Sequence, residues 1–411
     1  MAKNRTVLTP QYMHEFTCIG PACEDSCCIG WRVNVDEPTY KKYRKVKHPE
    51  LKPLMDKQVT RNRSTPSATN YAKIKVQKDS RCPFLAEDML CNIHRTLGEE
   101  YLSLTCATYP RTCNDVNGVL ERSATMSCPE AARLALLPEG EMEFDQELEA
   151  IDIRKVLSGK VNPSDLKLSL KPERYFWELR IFSIQILQTR DYSLWQRLVI
   201  LGLFLQKAQE LADNKQMDQL EQLIQLYMGI LADGSLKDSM GEIPDQVMIQ
   251  FRVLKELVDK RVTKGVTSKR YLECFGEFLK GLEYVNGATY KAVAQNYKEG
   301  YEDYYQPYMK EHEHILENYL VNHVFKNLFP LGKRGLYGEY SMFVIHYAMI
   351  KMHLIGMARH HKGLDDDLVI KLIQSFAKTV EHNTAYLHQV YELLQENEFT
   401  SMAHMSILVK N

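Results

Sequence analysis

The stretch YFWELRIFSIQILQ, residues 175–188, sets Phe176, Leu179, Phe182 and Ile186 three or four positions apart. That rhythm predicts an amphipathic helix with one buried stripe. It recurs along the chain in LEQLIQLYMGIL (220–231), QVMIQFRVLKELV (246–258) and YLECFGEFLKGL (271–282). Gly234, Gly265 and Gly363 follow periodic segments, where a helix end often needs a left-handed residue. Upstream the texture changes. Twelve of the fifteen prolines lie in residues 1–172, and nine of the ten cysteines lie between Cys18 and Cys128. There the chain reads as loops, with YAKIKV (71–76) a strand by alternation. The expected fold class is mainly α, a loop-rich Cys metal-binding module over residues 1–130 docked on an all-helical domain over residues 131–411.

The 411 residues are 45% apolar and 26% charged, with 52 Lys+Arg against 53 Asp+Glu and a formal net charge of −1. This composition excludes global disorder, and the balanced charge argues against wholesale nucleic-acid binding. The longest apolar run, LVILGLFL (198–205), is far shorter than the roughly 20 residues of a membrane-spanning helix, so no transmembrane segment is expected. The opening MAKNRTVLTP lacks the apolar core of a secretory signal, which points to a soluble, cytoplasmic protein. Residues 40–63 carry nine Lys and Arg side chains against Glu50 and Asp56. A solvated basic loop is the expected reading, with peripheral contact to an anionic membrane or acidic partner as the alternative.

The thiols are too unevenly placed for a disulfide framework, and a cytoplasmic chain favours metal ligation over disulfides. Their order is C18-x4-C23-x3-C27-C28, then C82-P-F-L with C91, C106 followed by YPR, C113, and S-C128-P-E. Zinc sites usually take two tight Cys knuckles, and the second half here has none. Thiols arriving singly from dispersed segments lean towards an iron–sulfur cluster, although spacing alone leaves zinc open. His94, three residues after Cys91, is more readily an ordinary surface or capping histidine than a ligand.

The segments FTCIGPACEDSCCIGWRVNVD (16–36), CPFL with LCNIHRTLGEEYLSLTCATYPR (82–111) and SCPEAARLALL (127–137) resemble the bacterial flagellin lysine-N-methylase (FliB) family. They also resemble a wider group of YkgJ-like zinc- or iron-chelating proteins. Over the helical part the likeness is looser and rests on segments such as ENYLVNHVFKNLFP (317–330). The resemblance implies a cytoplasmic methyltransferase that uses S-adenosylmethionine, carries an iron–sulfur cluster of the 4Fe-4S type, and acts on flagellin lysines. Carried over position by position, it implies that Cys18, Cys23, Cys27, Cys28, Cys82, Cys91, Cys106 and Cys128 are the metal thiols. Cys113 lies outside the pattern. Cys23, Cys27, Cys82 and Cys106 anchor the matching motifs and are expected to share one metal group.

The residues themselves carry neither a Gly-rich strand-to-helix nucleotide loop nor a Cys-x3-Cys-x2-Cys run. Residues 37–80 supply few large apolar side chains, so the module is expected to need metal to fold. Methyl transfer to lysine needs a neutral amine, whereas free lysine has a pKa near ~10.4. Tyr109 and Arg111, just after Cys106, are the catalytic candidates, Arg111 as a bidentate partner for a carboxylate. Tyr297, Tyr301, Tyr304 and Tyr308 share a helix face that is either a packing seam or the opposite wall of a cleft. His346, His353 and His360 recur every seven residues and read as core or capping histidines. LGKRGLYGEY (331–340) reads as a flexible connection, with Tyr337 and Tyr340 making it a candidate substrate lid. Two other function classes compete with the enzyme: a non-catalytic metal-binding or iron-carrier protein, and a zinc-stapled adaptor.

Overall fold

The computed structural model describes residues 3–64, 66–151, 157–285 and 287–410. The fold is mainly α, with a smaller N-terminal region of mixed sheet that holds most of the cysteines. The four periodic segments form the helices Phe176–Gln188, Leu220–Asp233, Val247–Thr263 and Lys269–Gly281. Phe176, Leu179, Phe182 and Ile186 are all buried, as the spacing predicts. Gly234 is left-handed at φ 72°, but at the third stop Lys362 takes that conformation one residue before Gly363.

Eight strands are described: β1 (Lys3–Pro10), β2 (Asn34–Val35), β3 (Val59–Arg61), β4 (Ala72–Ile74), β5 (Arg111–Val116), β6 (Val119–Ala124), β7 (Phe144–Ile151) and β8 (Gly159–Val161). A small antiparallel sheet, ordered β2-β4-β3, takes YAKIKV as its centre. The larger sheet is ordered β7-β1-β6-β5-β8, with β1 parallel to β6 and antiparallel to β7. Its β5–β6 hairpin closes on Asn117 and Gly118, both at positive φ. That Asn-Gly pair suits a two-residue turn whose twist matches the strands.

Strands therefore follow residue 130 as well as precede it. Residues 144–151 and 159–161 join the larger sheet, and the chain becomes all-helical only from about residue 172. Burial divides the molecule differently from the prolines. One apolar core gathers side chains from residues 33 to 93, including Val35, Tyr43, Leu51, Met55 and Phe84. The other runs from Tyr12 to Val409 and takes Ala124 and Met126 at the end of the larger sheet with it. Arg180 pins that sheet to the helices, since its guanidinium donates twice to the Glu121 carboxylate at 2.6 Å, with both groups buried.

Two expectations change. The basic stretch is not a loop: it forms the helices Glu37–Lys45 and Leu51–Gln58, with Asp56 receiving both Arg44 and Lys52. The candidate lid is not a lid either. A 27-residue helix, Gly335–His361, begins inside it, and buried Tyr340 donates to the Leu198 carbonyl at 2.9 Å. A Cβ at Gly202 would lie 2.3 Å from the Tyr340 ring, so glycine there lets two core helices approach. Helix Gly335–His361 is also long and apolar enough to cross a membrane, yet its apolar window is wholly buried inside the protein. It is a core helix, surrounded by other helices.

Candidate functional site

The thiols come together through local geometry on three segments. Cys27 and Cys28 follow a single turn of 3-10 helix, Gly20–Ala22. The Cys82 amide donates to the Cys28 carbonyl at 2.8 Å, which draws the second segment onto the first. Cys91 caps helix Asn92–Leu97, and Cys106 lies in helix Leu104–Thr108, whose Ser103 cap accepts from the Cys106 amide. The result is one cavity of about 380 Å³, lined by Cys18, Cys23, Cys27, Cys28, Cys82, Cys91, Cys106 and Cys128.

Within it Cys28 is central. Cys27, Cys82 and Cys91 surround its thiol within hydrogen-bonding reach, which keeps the proton on Cys28 and lowers the other three thiols. Cys27 is lowered to about 7 by the Cys28 hydrogen bond, with help from the Lys378 charge. Cys91 falls to about 6 through the same donor and the amides of His94 and Ile93 at its helix start. Burial instead pushes Cys106 and Cys128 up to about 12 and raises Cys23. The closely coupled set is thus Cys27, Cys28, Cys82 and Cys91, while Cys23 and Cys106, expected to share a metal group with Cys27 and Cys82, line the same cavity. Cys106 faces Cys91 and Cys82, while Cys128 faces Cys23 and Cys18. Cys113, on β5, is not among the cavity residues. Among the described residues no three His, Cys, Asp or Glu side chains form a group suited to a single metal ion. The all-thiolate donor set suits an iron–sulfur cluster and a Cys-bound zinc alike.

A second cavity, about 760 Å³, shares Trp31, Tyr109, Pro110 and Arg111 with the first. These four residues are the partition between the thiols and an open cleft. Tyr109 hydrogen-bonds Ser127 Oγ at 3.1 Å, and Ser127 Oγ is 2.9 Å from His382 Nε2. Trp31 packs near both rings, 5.4 Å from Tyr109 and nearly parallel to His382 at 6.4 Å. Burial raises the Tyr109 hydroxyl well above its usual range and lowers His382 below its own, so both are neutral at pH 7. Arg111 spreads its guanidinium over Phe16 at 5.0 Å.

The far wall comes from the helical part. Helix Gln306–Lys326 ends against β5, where Asn114 donates to the Lys326 carbonyl at 2.9 Å. Further along the same helix Asn322 accepts from Tyr12 and donates to Ala124, which fixes the helix to the sheet. Lys326, Asn327 and Leu328 so reach the cleft. Helix Asp366–Phe376 widens into a π-helical turn, Ala377–Glu381, which aims Lys378 at the thiol loop and His382 at Ser127. Such wide turns occur often at functional sites. Lys378 and Gln374 each donate to the Asp25 carboxylate at 2.8 Å and so clamp the Cys23–Cys28 loop onto the helices.

The model of the FliB lysine N-methylase C-terminal domain matches residues 180–408, more than half of the chain. The chain belongs to the FliB lysine N-methylase family. Two relatives named Lysine-N-methylase, from Salmonella choleraesuis (strain SC-B67) and Salmonella typhimurium (strain LT2), are each 24% identical over 98% of this chain and 99% of their own. The flagellar biosynthetic protein FliU of Salmonella muenchen is 33% identical over 31% of this chain and 75% of its own. No solved structure matches.

In this lysine N-methylase family member, the structure brings together the eight thiols, Tyr109 and Arg111. It separates the tyrosine series from them. Tyr297 is buried against Phe251, Tyr308 donates to Asp366, and none of Tyr297, Tyr301, Tyr304 and Tyr308 lines the cleft. The opposite wall is Lys326 to Leu328 with His382. The spaced histidines do not converge: His353 is a satisfied core residue bonded to Met349 and Tyr271, while His346 faces His323 elsewhere. Trp31 and Ser127 stand inside the quoted Cys motifs and could have been read there. Lys326, Lys378 and His382 carried no sequence signal beyond helical spacing.

Proposed function

We propose that the chain methylates lysine side chains of flagellin in the cytoplasm, using S-adenosylmethionine in the 760 Å³ cleft and an iron–sulfur cluster in the thiol cavity. The observation that carries this is the shared partition of Trp31, Tyr109, Pro110 and Arg111: a thiol cage and a substrate-sized cleft are built back to back. The cleft lies between elements of the two cores, where binding sites commonly form. Its length and open mouth suit an extended side chain entering from a protein surface. Cys27, Cys28, Cys82 and Cys91 would hold the cluster, which supplies redox capacity and rigid bracing when bound. S-adenosylmethionine supplies an electrophilic methyl group.

The chain's own residues then have three tasks. The ring faces of Trp31 and Tyr109 on the cleft wall disfavour an incoming ammonium by desolvation, shifting the substrate lysine towards its neutral form. Neutral His382, oriented through Ser127 and Tyr109, accepts the proton that the amine must lose, and the amine lone pair is left free to form the N–C bond as the sulfonium–methyl bond breaks and its electron pair leaves with S-adenosylhomocysteine. Trp31 and Tyr109 offer π faces to a cationic group without a formal counter-charge. Arg111, half over Phe16, remains available to a carboxylate.

The deciding experiment incubates anaerobically purified protein with flagellin and methyl-labelled S-adenosylmethionine. Label in flagellin lysines, lost in His382→Gln, is the expected result. Brown protein with no transfer would favour the iron-carrier reading, and colourless protein without transfer the zinc adaptor.

A further inference from the structure

Behind the Lys326 wall lies another cavity, about 270 Å³, that the cleft chemistry does not use. Lys326 and Asn327 line both spaces, so the chamber opens beside the cleft. Its interior is aromatic and imidazole-rich: His323, Phe329, Phe343 and His346. The His323 ring is 5.2 Å from Phe343 and 5.5 Å from His346. Both nitrogens of buried His346 and the Nδ1 of His323 have no hydrogen-bond partner. Burial holds these imidazoles neutral, at about 4 for His346 and about 3 for His323. A neutral imidazole offers one donor and one acceptor, and an enclosed site that leaves both unmet is built for a group that supplies the complements.

The chamber mouth is charged. Glu381 accepts from Tyr319 at 2.6 Å and faces Lys326 at 3.7 Å. Burial alone would raise its carboxyl, but Lys326 and the two imidazoles hold it down at about 2, so it stays anionic. A ligand here needs a flat heteroaromatic end with paired donor and acceptor edges, joined to a zwitterionic, cationic end. Resting on the methyltransferase reading, we infer that this chamber receives the nucleoside end of S-adenosylmethionine, with the donor's carboxylate on Lys326 and its sulfonium side towards Glu381. The methyl group is then presented at the cleft through the Lys326–Asn327 opening. This gives the donor a pocket in the helical part, separate from the thiol cavity.

The test is calorimetric binding of S-adenosylhomocysteine and of adenosine to the full chain, purified with its metal. Both should bind. His346→Gln and Thr384→Trp, the latter from an exposed position at the chamber mouth, should each weaken binding by roughly tenfold or more. Melting temperature and visible absorbance should stay unchanged. Should His346→Gln fold poorly, Thr384→Trp decides. Wild-type affinity in both variants, alongside normal flagellin methylation, overturns the chamber assignment and leaves the methyltransferase reading standing. Adenosine binding that depends on His346 in a protein that methylates nothing keeps a nucleoside chamber and removes the methyltransferase reading. Absence of binding in the wild type overturns the chamber outright.

Discussion

The two cores of this methylase are held in different ways. The helical part buries whole turns, with the helix Gly335–His361 enclosed from Leu336 to Ala358 except near its start. Its stability follows from apolar area removed from water and needs no cofactor. The Cys lobe has a real but small core, twelve buried apolar residues from Val33 to Ile93. Seven of them, Tyr43, Val46, Leu51, Met55, Val59, Ala72 and Ile74, come from the stretch expected to supply few. Beside that core sit eight thiols that face one another and bond weakly. The difference separates the two roles: the core of the lobe is apolar, and the thiols of the proposed cluster site stand at its face, towards the helices.

Removing thiols should produce the largest effect and test that contrast directly. Cys27→Ser with Cys82→Ser deletes two of the three partners of Cys28. The expected outcome is loss of cluster absorbance, loss of flagellin methylation to background, and rapid proteolysis confined to the first 130 residues. A lobe that stays protease-resistant would show that its small core suffices and that the thiols serve chemistry alone.

The seam between the regions should respond next. Arg180→Met strands the Glu121 carboxylate inside the sheet–helix contact. Breaking a buried pair in this way costs about 3–5 kcal/mol. The helical part should melt at markedly lower temperature while the thiol cavity keeps its absorbance. Adding Glu121→Leu should restore most of the loss, and failure of that rescue would mean the pair specifies the sheet's position.

Sequence made the helical part legible because one buried stripe repeats at 3.6 residues, and packing rewards that pattern directly. It made the thiol set legible because soft ligands cluster by type, whatever the backbone between them. The β5–β6 hairpin was also written in the chain, as Asn117-Gly118, but it was overshadowed by proline and cysteine density. The far wall was not legible. Lys326 and His382 face the cleft because a helix terminates on Asn114 and another widens through a π-helical turn, and both events depend on long-range contacts. The tyrosine series misled for the converse reason: helical spacing puts residues on one face, but says nothing about what that face meets.

Acid should distinguish the regions by a smaller margin. His346 and His323 are neutral when folded, at about 4 and about 3, and regain an ordinary value near 6.5 on unfolding. The unfolded chain therefore binds more protons as pH falls, and stability that is complete above pH 6.5 declines towards pH 4. Glu381 adds a second decline between its ordinary 4.5 and about 2. Fully titrated, His346 contributes about 3 kcal/mol of this dependence and His323 about 5 kcal/mol. Urea midpoints of the helical part should fall between pH 7 and pH 4.5, less steeply in His346→Gln. An identical slope in that variant would place the sensitivity in the thiol lobe instead.

The smallest expected effect lies on the partition itself. Tyr109→Phe removes one hydroxyl that bonds Ser127, with its ring still packed against Trp31. A single neutral hydrogen bond of this kind contributes about 1 kcal/mol, so the melting temperature should shift little. The catalytic consequence should be larger than the structural one, because Ser127 is also the partner that orients His382. Without Tyr109, Ser127 keeps Thr125 and His382 as partners, and its hydroxyl can rotate away from the imidazole. Methylation should fall by roughly tenfold, and general acid–base contributions of about 10²–10⁴ set the upper limit. Arg111→Ala should weaken substrate or donor binding instead, leaving turnover at saturation near wild type. If Tyr109→Phe keeps full activity, the Ser127–His382 pair works without the partition. If Arg111→Ala loses the cluster, its contact with Phe16 braces the thiol cavity, and the division between a structural lobe and a catalytic cleft moves to that side chain.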